Sequence, residues 1–258
     1  MEIMTGTELL NAALMVGTRL LACGAEIYRV EESVARICLA YGAKSADVYA
    51  VPTAIIATIQ MDEVGTISQV CRITQRGTNI NKVDALNTLC RSVCICPISY
   101  KQMQKEIAQI DACSVYSDRV LYLACGGGSM FFALLFGADV AGGLLAFVIG
   151  FLLQIFMIFG GRLGMHPLFT NLFGGIWISF CALLGAAVGI CANYDVVIIG
   201  SIMPLVPGLL MTNSIRDMIA GDFMAGISRF SEAFLIAAGI AAGAAIPLSM
   251  SQLLLGVF

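Results

Sequence analysis

The chain has 258 residues, 59% of them hydrophobic and only 12% charged, against a roughly 25% charged share in soluble domains, which makes a membrane protein the first expectation. Its formal net charge of -3, with basic residues scattered, excludes a nucleic-acid surface, which must neutralise many phosphates together. Of the 14 Lys and Arg, eleven precede Val120 and three follow it, so two regions are expected.

The first region reads as a small α+β domain over residues 1–117. Leu9, Leu10, Ala13, Leu14, Val16, Leu20 and Leu21 have helical spacing between Thr7 and Cys23, with Gly24 as punctuation. No leader peptide is evident at Met1 to Asn11, which lacks a basic stretch and a small-residue cleavage site. A second helix is expected from Ala25 to Tyr41, with Ile27, Val30, Val34, Ile37 and Cys38 on one stripe and Gly42 as its stop. The period then changes to two over Asp47–Met61 and Thr66–Thr74, separated by Asp62, Glu63 and Gly65, a β-hairpin signal. Helical spacing returns in Ile80–Cys94 and Ser99–Ile110, parted by Pro97.

Residues 118–258 read as a transmembrane helical bundle. Five apolar runs match the roughly 20 residues needed to cross about 30 Å of hydrocarbon: Val120–Gly137, Val140–Gly160, Leu168–Ala192, Val196–Ser214 and Ala225–Val257. If the N-terminal domain is cytoplasmic, the connectors alternate so that all 14 basic residues fall inside, as the positive-inside rule requires. The C-terminus then lies outside. A chain with an odd number of spans would, if duplicated, place its second copy upside down, the arrangement of inverted-repeat transporters.

Chemistry concentrates between residues 204 and 232. Pro204, Pro207 and Gly208 interrupt an apolar span, freeing backbone groups that hydrocarbon cannot satisfy, so the break should face protein or a water-filled cavity. Free amides at such a break suit a carboxylate, although a packing kink explains the prolines equally well. Asn213, Arg216, Asp217 and Asp222 follow, with Arg229 and Glu232 in the next segment. Such a cluster could recruit or gate an anionic or zwitterionic substrate, or form a snorkelling belt of ion pairs. In the first region Glu26, Arg29, Glu32 and Arg36 fall three or four apart, a helix-face ladder worth tenths of a kcal/mol per pair.

Other features carry less. The ten cysteines show no disulfide framework, and Cys90, Cys94 and Cys96 have no neighbouring histidine, His166 being the only one, so reduced thiols without a metal are expected. Gly126-Gly127-Gly128 lacks the lysine of a phosphate loop. Close helix packing is expected there and at Gly142, Gly143, Gly174 and Gly175. His166, beside Pro167, reads as structural. Ser33, Thr53 and Cys71 are candidate nucleophiles, but no histidine exists in the first region to serve as base.

The segments Gly24-Ala-Glu-Ile-Tyr-Arg-Val-Glu-Glu32, Pro52-Thr53, Arg72 to Lys82, Val206-Pro-Gly208, Ile215-Arg-Asp217, Gly221-Asp222 and Arg229 together resemble the threonine/serine exporter family. The resemblance is strongest to the larger subunit of its split, two-protein form, whose enteric relatives are implicated in succinate export with a small membrane partner. It implies export driven by an ion gradient, a small multi-span partner and no cofactor. It also marks Glu26, Arg29, Glu32, Pro52 and Thr53 as a motif of the N-terminal domain.

The expectation is therefore a multi-pass inner-membrane subunit, not an enzyme, that exports a carboxylate-bearing metabolite such as threonine, serine or a succinate-like dicarboxylate. Pro204, Pro207, Gly208, Asn213, Arg216, Asp217, Asp222 and Arg229 are the expected substrate-binding or gating residues, and a homo-oligomer is compatible with the sequence. The alternatives are a membrane-anchored hydrolase-like enzyme or a regulatory subunit.

Overall fold

A computed structural model of the chain describes residues 4–62, 64–113 and 116–255. Contacts divide it into two units, Met1–Val115 with Leu209–Phe230, and Tyr116–Gly208 with Ser231–Phe258.

In the first unit, α1 (Gly6–Ala22) opens on a capping box. Glu8 N donates to Thr5 Oγ1 at 3.3 Å and Thr5 N donates back to Glu8 Oε2 at 2.9 Å, satisfying two amides that a helix start otherwise leaves unpaired. The helix is buried on most sides, with Leu9, Leu10, Leu14 and Leu20 at its core. α2 (Ile27–Ala40) packs its Ile27, Val30, Val34, Ile37 stripe against it. At Gly17 the crossing is so close that a Cβ would lie 2.5 Å from Val34 Cγ2 and 3.3 Å from Ile55 Cδ1.

Three strands follow, β1 (Ser45–Val51), β2 (Ala54–Met61) and β3 (Gly65–Arg72), in an antiparallel meander. The expected hairpin is thus corrected. Its first run splits at Pro52-Thr53, where Pro52 has no N–H for a ladder and Val51 pairs with Ala54 across a two-residue turn. Of the expected β2–β3 turn residues, Glu63 lies outside the described residues. Ile55, Ala57 and Ile59 of β2 alternate into the core, the period of a half-buried strand. α3 (Ile80–Ile95) and α4 (Tyr100–Ala112) complete this part. α3 is capped by Asn79, whose side chain accepts from Lys82 N at 3.0 Å.

The second unit is helical: α5 (Asp118–Leu135), α6 (Val140–Arg162), α7 (Pro167–Ala187) and α8 (Tyr194–Ile202), followed by a 3-10 turn at Met203–Leu205. α9 (Gly208–Ala220) and α10 (Phe223–Leu255) end the chain, and α10 contributes residues to both units. Four helices among the described residues are long and apolar enough to cross a membrane: α5, α6, α7 and α10. The α8–α9 pair adds a fifth if it counts as one interrupted span. The interruption falls at Pro204 and Pro207, neither of which can donate to a preceding carbonyl.

Small residues let these helices meet. A Cβ on Gly126 would come within 2.9 Å of Phe147 O, and one on Gly175 within 2.9 Å of Ala244 N, the close approach expected where lipid supplies no hydrophobic drive. Gly127 and Gly128 face open space instead, so only the first glycine of that triplet serves packing. His166 is the N-cap of α7, its Nδ1 accepting from Leu168 N at 3.3 Å. All ten cysteines are free thiols.

Candidate functional site

The elbow between α1 and α2 is the hub of the first unit. Gly24 turns the chain at φ +89°, against Gly77 O, which would lie 3.1 Å from a Cβ there; a side chain would be strained by the left-handed backbone as well. α2 then begins with no cap bond from its own N-cap side chain, Glu26. The missing acceptor comes from far along the chain: Ile27 N donates to Asp217 Oδ1 at 3.3 Å.

Asp217 has a fully buried side chain, and its Oδ2 lies 3.0 Å from Nη1 of the nearly buried Arg229. Arg229 Nη2 donates to Ala25 O at 2.7 Å, and Asn213 Nδ2 donates to Gly24 O at 3.0 Å. Side chains of α9 and α10 thus grip the backbone of Gly24, Ala25 and Ile27. A buried charge pair is costly unless its other atoms are also engaged, and here the Ile27 amide takes Asp217 Oδ1 while the Ala25 carbonyl takes Arg229 Nη2.

Glu26 is held between two arginines. Its Oε2 is 2.7 Å from Arg29 Nε, and its Oε1 pairs with Arg216. The Glu26 side chain is 10% exposed, while those of Arg29 and Arg216 are 48% and 52% exposed. A cavity of about 260 Å³ opens beside them, with Thr78, Thr212 and Asn213 also in its wall. That is slightly below the roughly 300 Å³ at which pockets for drug-sized ligands begin, so it suits a metabolite of a few heavy atoms. Two half-exposed guanidiniums offer a carboxylate planar, charge-assisted hydrogen bonds. Glu26 offers an acceptor to an ammonium.

The structure therefore joins Glu26 and Arg29, from the N-terminal motif, with Asn213, Arg216, Asp217 and Arg229. Other expected residues lie elsewhere. Asp222 sits in the turn between α9 and α10, where its N donates to Asp217 O at 2.9 Å and its O accepts from Gly226 N at 2.9 Å. Glu32 pairs with Arg36 at 2.7 Å on an exposed part of α2. Pro52 and Thr53 form the β1–β2 turn, with Thr53 O accepting from Ile73 N at 2.8 Å. Pro204, Pro207 and Gly208 belong to the second unit.

The family model described as "Putative threonine/serine exporter" matches residues 11–251. The chain belongs to the threonine/serine exporter family. It is 24% identical over 254 residues to the threonine/serine exporter of Corynebacterium glutamicum, an alignment covering 95% of this chain and 52% of that protein. The chain thus spans about half the length of the curated relative it matches. No solved structure matches it. Family membership makes this a multi-pass membrane protein of a transporter family rather than of an enzyme family.

One half-buried carboxylate near these residues escaped the sequence reading. Glu31 Oε1 accepts from Ala50 N at 2.7 Å, joining α2 to β1. Burial pushes its carboxyl above the ordinary value, the Ala50 amide pulls it back, and the negative charges of Asp222 and Asp217 add to the rise. Nothing local distinguishes Glu31 from its neighbour Glu32. The backbone acceptors Gly24 and Ala25 were equally invisible, since any residue supplies a carbonyl.

Proposed function

We propose that this chain is one part of a secondary transporter that exports a small carboxylate-bearing metabolite, threonine or serine in preference to a succinate-like dicarboxylate. The observation that carries this reading is Glu26 set between Arg29 and Arg216 in the wall of the 260 Å³ cavity. A zwitterion exchanges ion pairs there without leaving a charge bare: its carboxylate takes the guanidiniums as its ammonium takes Glu26. A dicarboxylate would meet Glu26 as a like charge.

In this reading the N-terminal domain, residues 1–117, faces the cytoplasm and the C-terminus lies outside the inner membrane. The distribution of the 14 basic residues supports that orientation. Substrate enters from the cytoplasm, Arg216, with Asp217 and Asp222 near it in sequence, serves entry or coupling, and the Pro204 to Gly208 break marks an interrupted span of the kind that lines transport paths. Asp217 and Arg229 act as the clasp that lets α9 and α10 follow the state of the α1–α2 elbow. The remainder of the path comes from a small multi-span membrane partner, a reading supported by the twofold greater length of the matched relative.

The test is efflux of preloaded labelled threonine, serine and succinate from cells expressing the chain with and without such a partner. Export of threonine or serine with both present is expected. Succinate export unaffected by excess threonine would overturn the substrate assignment.

A further inference from the structure

A second cavity, of about 380 Å³, lies between α2 and α3 and shares Arg29 with the first. Its wall carries Glu32, Arg36, Asp84, Asn87 and Arg91 as well. The two helices run in the same direction. Ile80 and Val83, at the start of α3, line the first cavity with Glu26 and Arg29. Further along, Cys90 Sγ donates to Ser33 O at 3.7 Å.

The groove carries three guanidiniums, Arg29, Arg36 and Arg91, and two carboxylates, Glu32 and Asp84. Arg36 is engaged by Glu32 at 2.7 Å, and Arg29 by Glu26 at 2.7 Å. Among the described residues neither Asp84 nor Arg91 has an ion-pair partner; Arg91 Nη2 donates to Thr88 Oγ1 at 3.3 Å. Seven residues of helix set the two about 10 Å apart at their Cα atoms. The long Arg91 side chain shortens that gap toward the span of one amino-acid ligand, with the Asn87 amide between. One end thus presents Asp84 beside Arg29, whose guanidinium Glu26 engages, and the other presents Arg91 and Arg36 with Glu32.

On a solvated helix face opposite charges three or four residues apart are neighbours that can pair, as Glu32 and Arg36 do. Asp84 and Arg91 are spaced so that neither neutralises the other, and they line a common cavity. We infer that the α2–α3 groove is a second binding site for a free zwitterionic α-amino acid, its ammonium on Asp84 and its carboxylate on Arg91 and Arg36. Arg29 forms part of both walls and holds Glu26. Occupancy of the groove is therefore sensed at the first cavity through the Arg29–Glu26 pair, which makes the groove a regulatory site. Binding stands without the transport reading; the regulatory consequence rests on it.

The experiment is equilibrium dialysis of the full chain in lipid nanodiscs against labelled L-threonine and L-serine, with labelled succinate and inorganic phosphate as counter-probes. Asp84→Asn combined with Arg91→Gln is expected to raise the Kd of one amino-acid site at least tenfold, and Arg216→Ala to leave that site intact. Both substituted residues are exposed, and an unchanged melting temperature checks that the fold persists. Unchanged binding in the double variant, no amino-acid binding by the wild type, or tighter binding of succinate or phosphate in the groove would each overturn the assignment. In cells the double variant should still export while losing the dependence of rate on internal amino-acid level. Abolished export would place the groove in the transport path and overturn its regulatory role. A failure of wild-type export would instead strike the transport reading and leave the dialysis result standing.

Discussion

Asp217 caps a helix that begins 190 residues earlier, its Oδ1 accepting the Ile27 amide at 3.3 Å. The same carboxylate holds Arg229 at 3.0 Å, where both side chains are nearly excluded from solvent. Removing one member strands the other charge in the interior, which costs about 3–5 kcal/mol. Asp217→Ala and Arg229→Ala should each lower the melting temperature of the purified chain sharply. Asp217→Leu combined with Arg229→Met should recover much of the loss, since well-packed apolar replacements of a buried pair are often neutral. Additive single and double effects would show that the two do not act as a pair.

That relationship marks the limit of what the sequence discloses. Arg216, Asp217 and Arg229 stand out as charges near an apolar span, and Glu26 and Arg29 stand out as a helix ladder. Spacing, however, reports only neighbours three or four residues apart, so the convergence of the two sets was not legible. The span break was, because proline's missing N–H is a local property. The turn at Pro52 was open to the same argument, yet β-branched residues on both sides of it read as one continuous strand.

Helix packing in the second unit gives a contrast between glycines. A Cβ on Gly243 of α10 would collide with Leu172 O of α7, whereas Gly127 faces open space. Backbone cannot yield as a flexible side chain does. Gly243→Ala is expected to reduce the amount of folded protein in the membrane and its melting temperature, and Gly127→Ala to change neither. Equal behaviour of the two would contradict the packing assigned to α7 and α10.

Thiol reactivity should follow burial. Burial pushes the Cys38 thiol up to about 12 and that of Cys90 to about 11, so the reactive thiolate is scarce at both. Cys96 and Cys113 are exposed. Alkylation at pH 8 followed by peptide mapping should mark Cys96 and Cys113 first, and Cys38 and Cys90 only on unfolding. Early modification of Cys38 would contradict the described core.

Glu31 predicts a pH dependence of stability. Its carboxyl is raised in the fold, chiefly by burial, so the unfolded chain gives up this proton at lower pH than the folded one. The contribution is fully present below the ordinary glutamate value and is lost as pH rises through the raised folded value. Glu31→Gln keeps an acceptor for Ala50 N and removes the titration. At pH 7 to 8 this variant should melt at or above the wild-type temperature, with the advantage shrinking toward pH 4. A constant difference across that range would show that Glu31 does not titrate in this way.

The central claim is that the Arg216–Glu26–Arg29 arrangement handles the exported substrate. Its most direct measurement is efflux of preloaded labelled threonine from cells expressing Arg216→Ala, alongside wild type and Asp217→Ala, with membrane abundance measured in the same cells. Loss of efflux in Arg216→Ala at wild-type abundance is expected, with Asp217→Ala also inactive. Full efflux from Arg216→Ala at equal abundance would contradict the account.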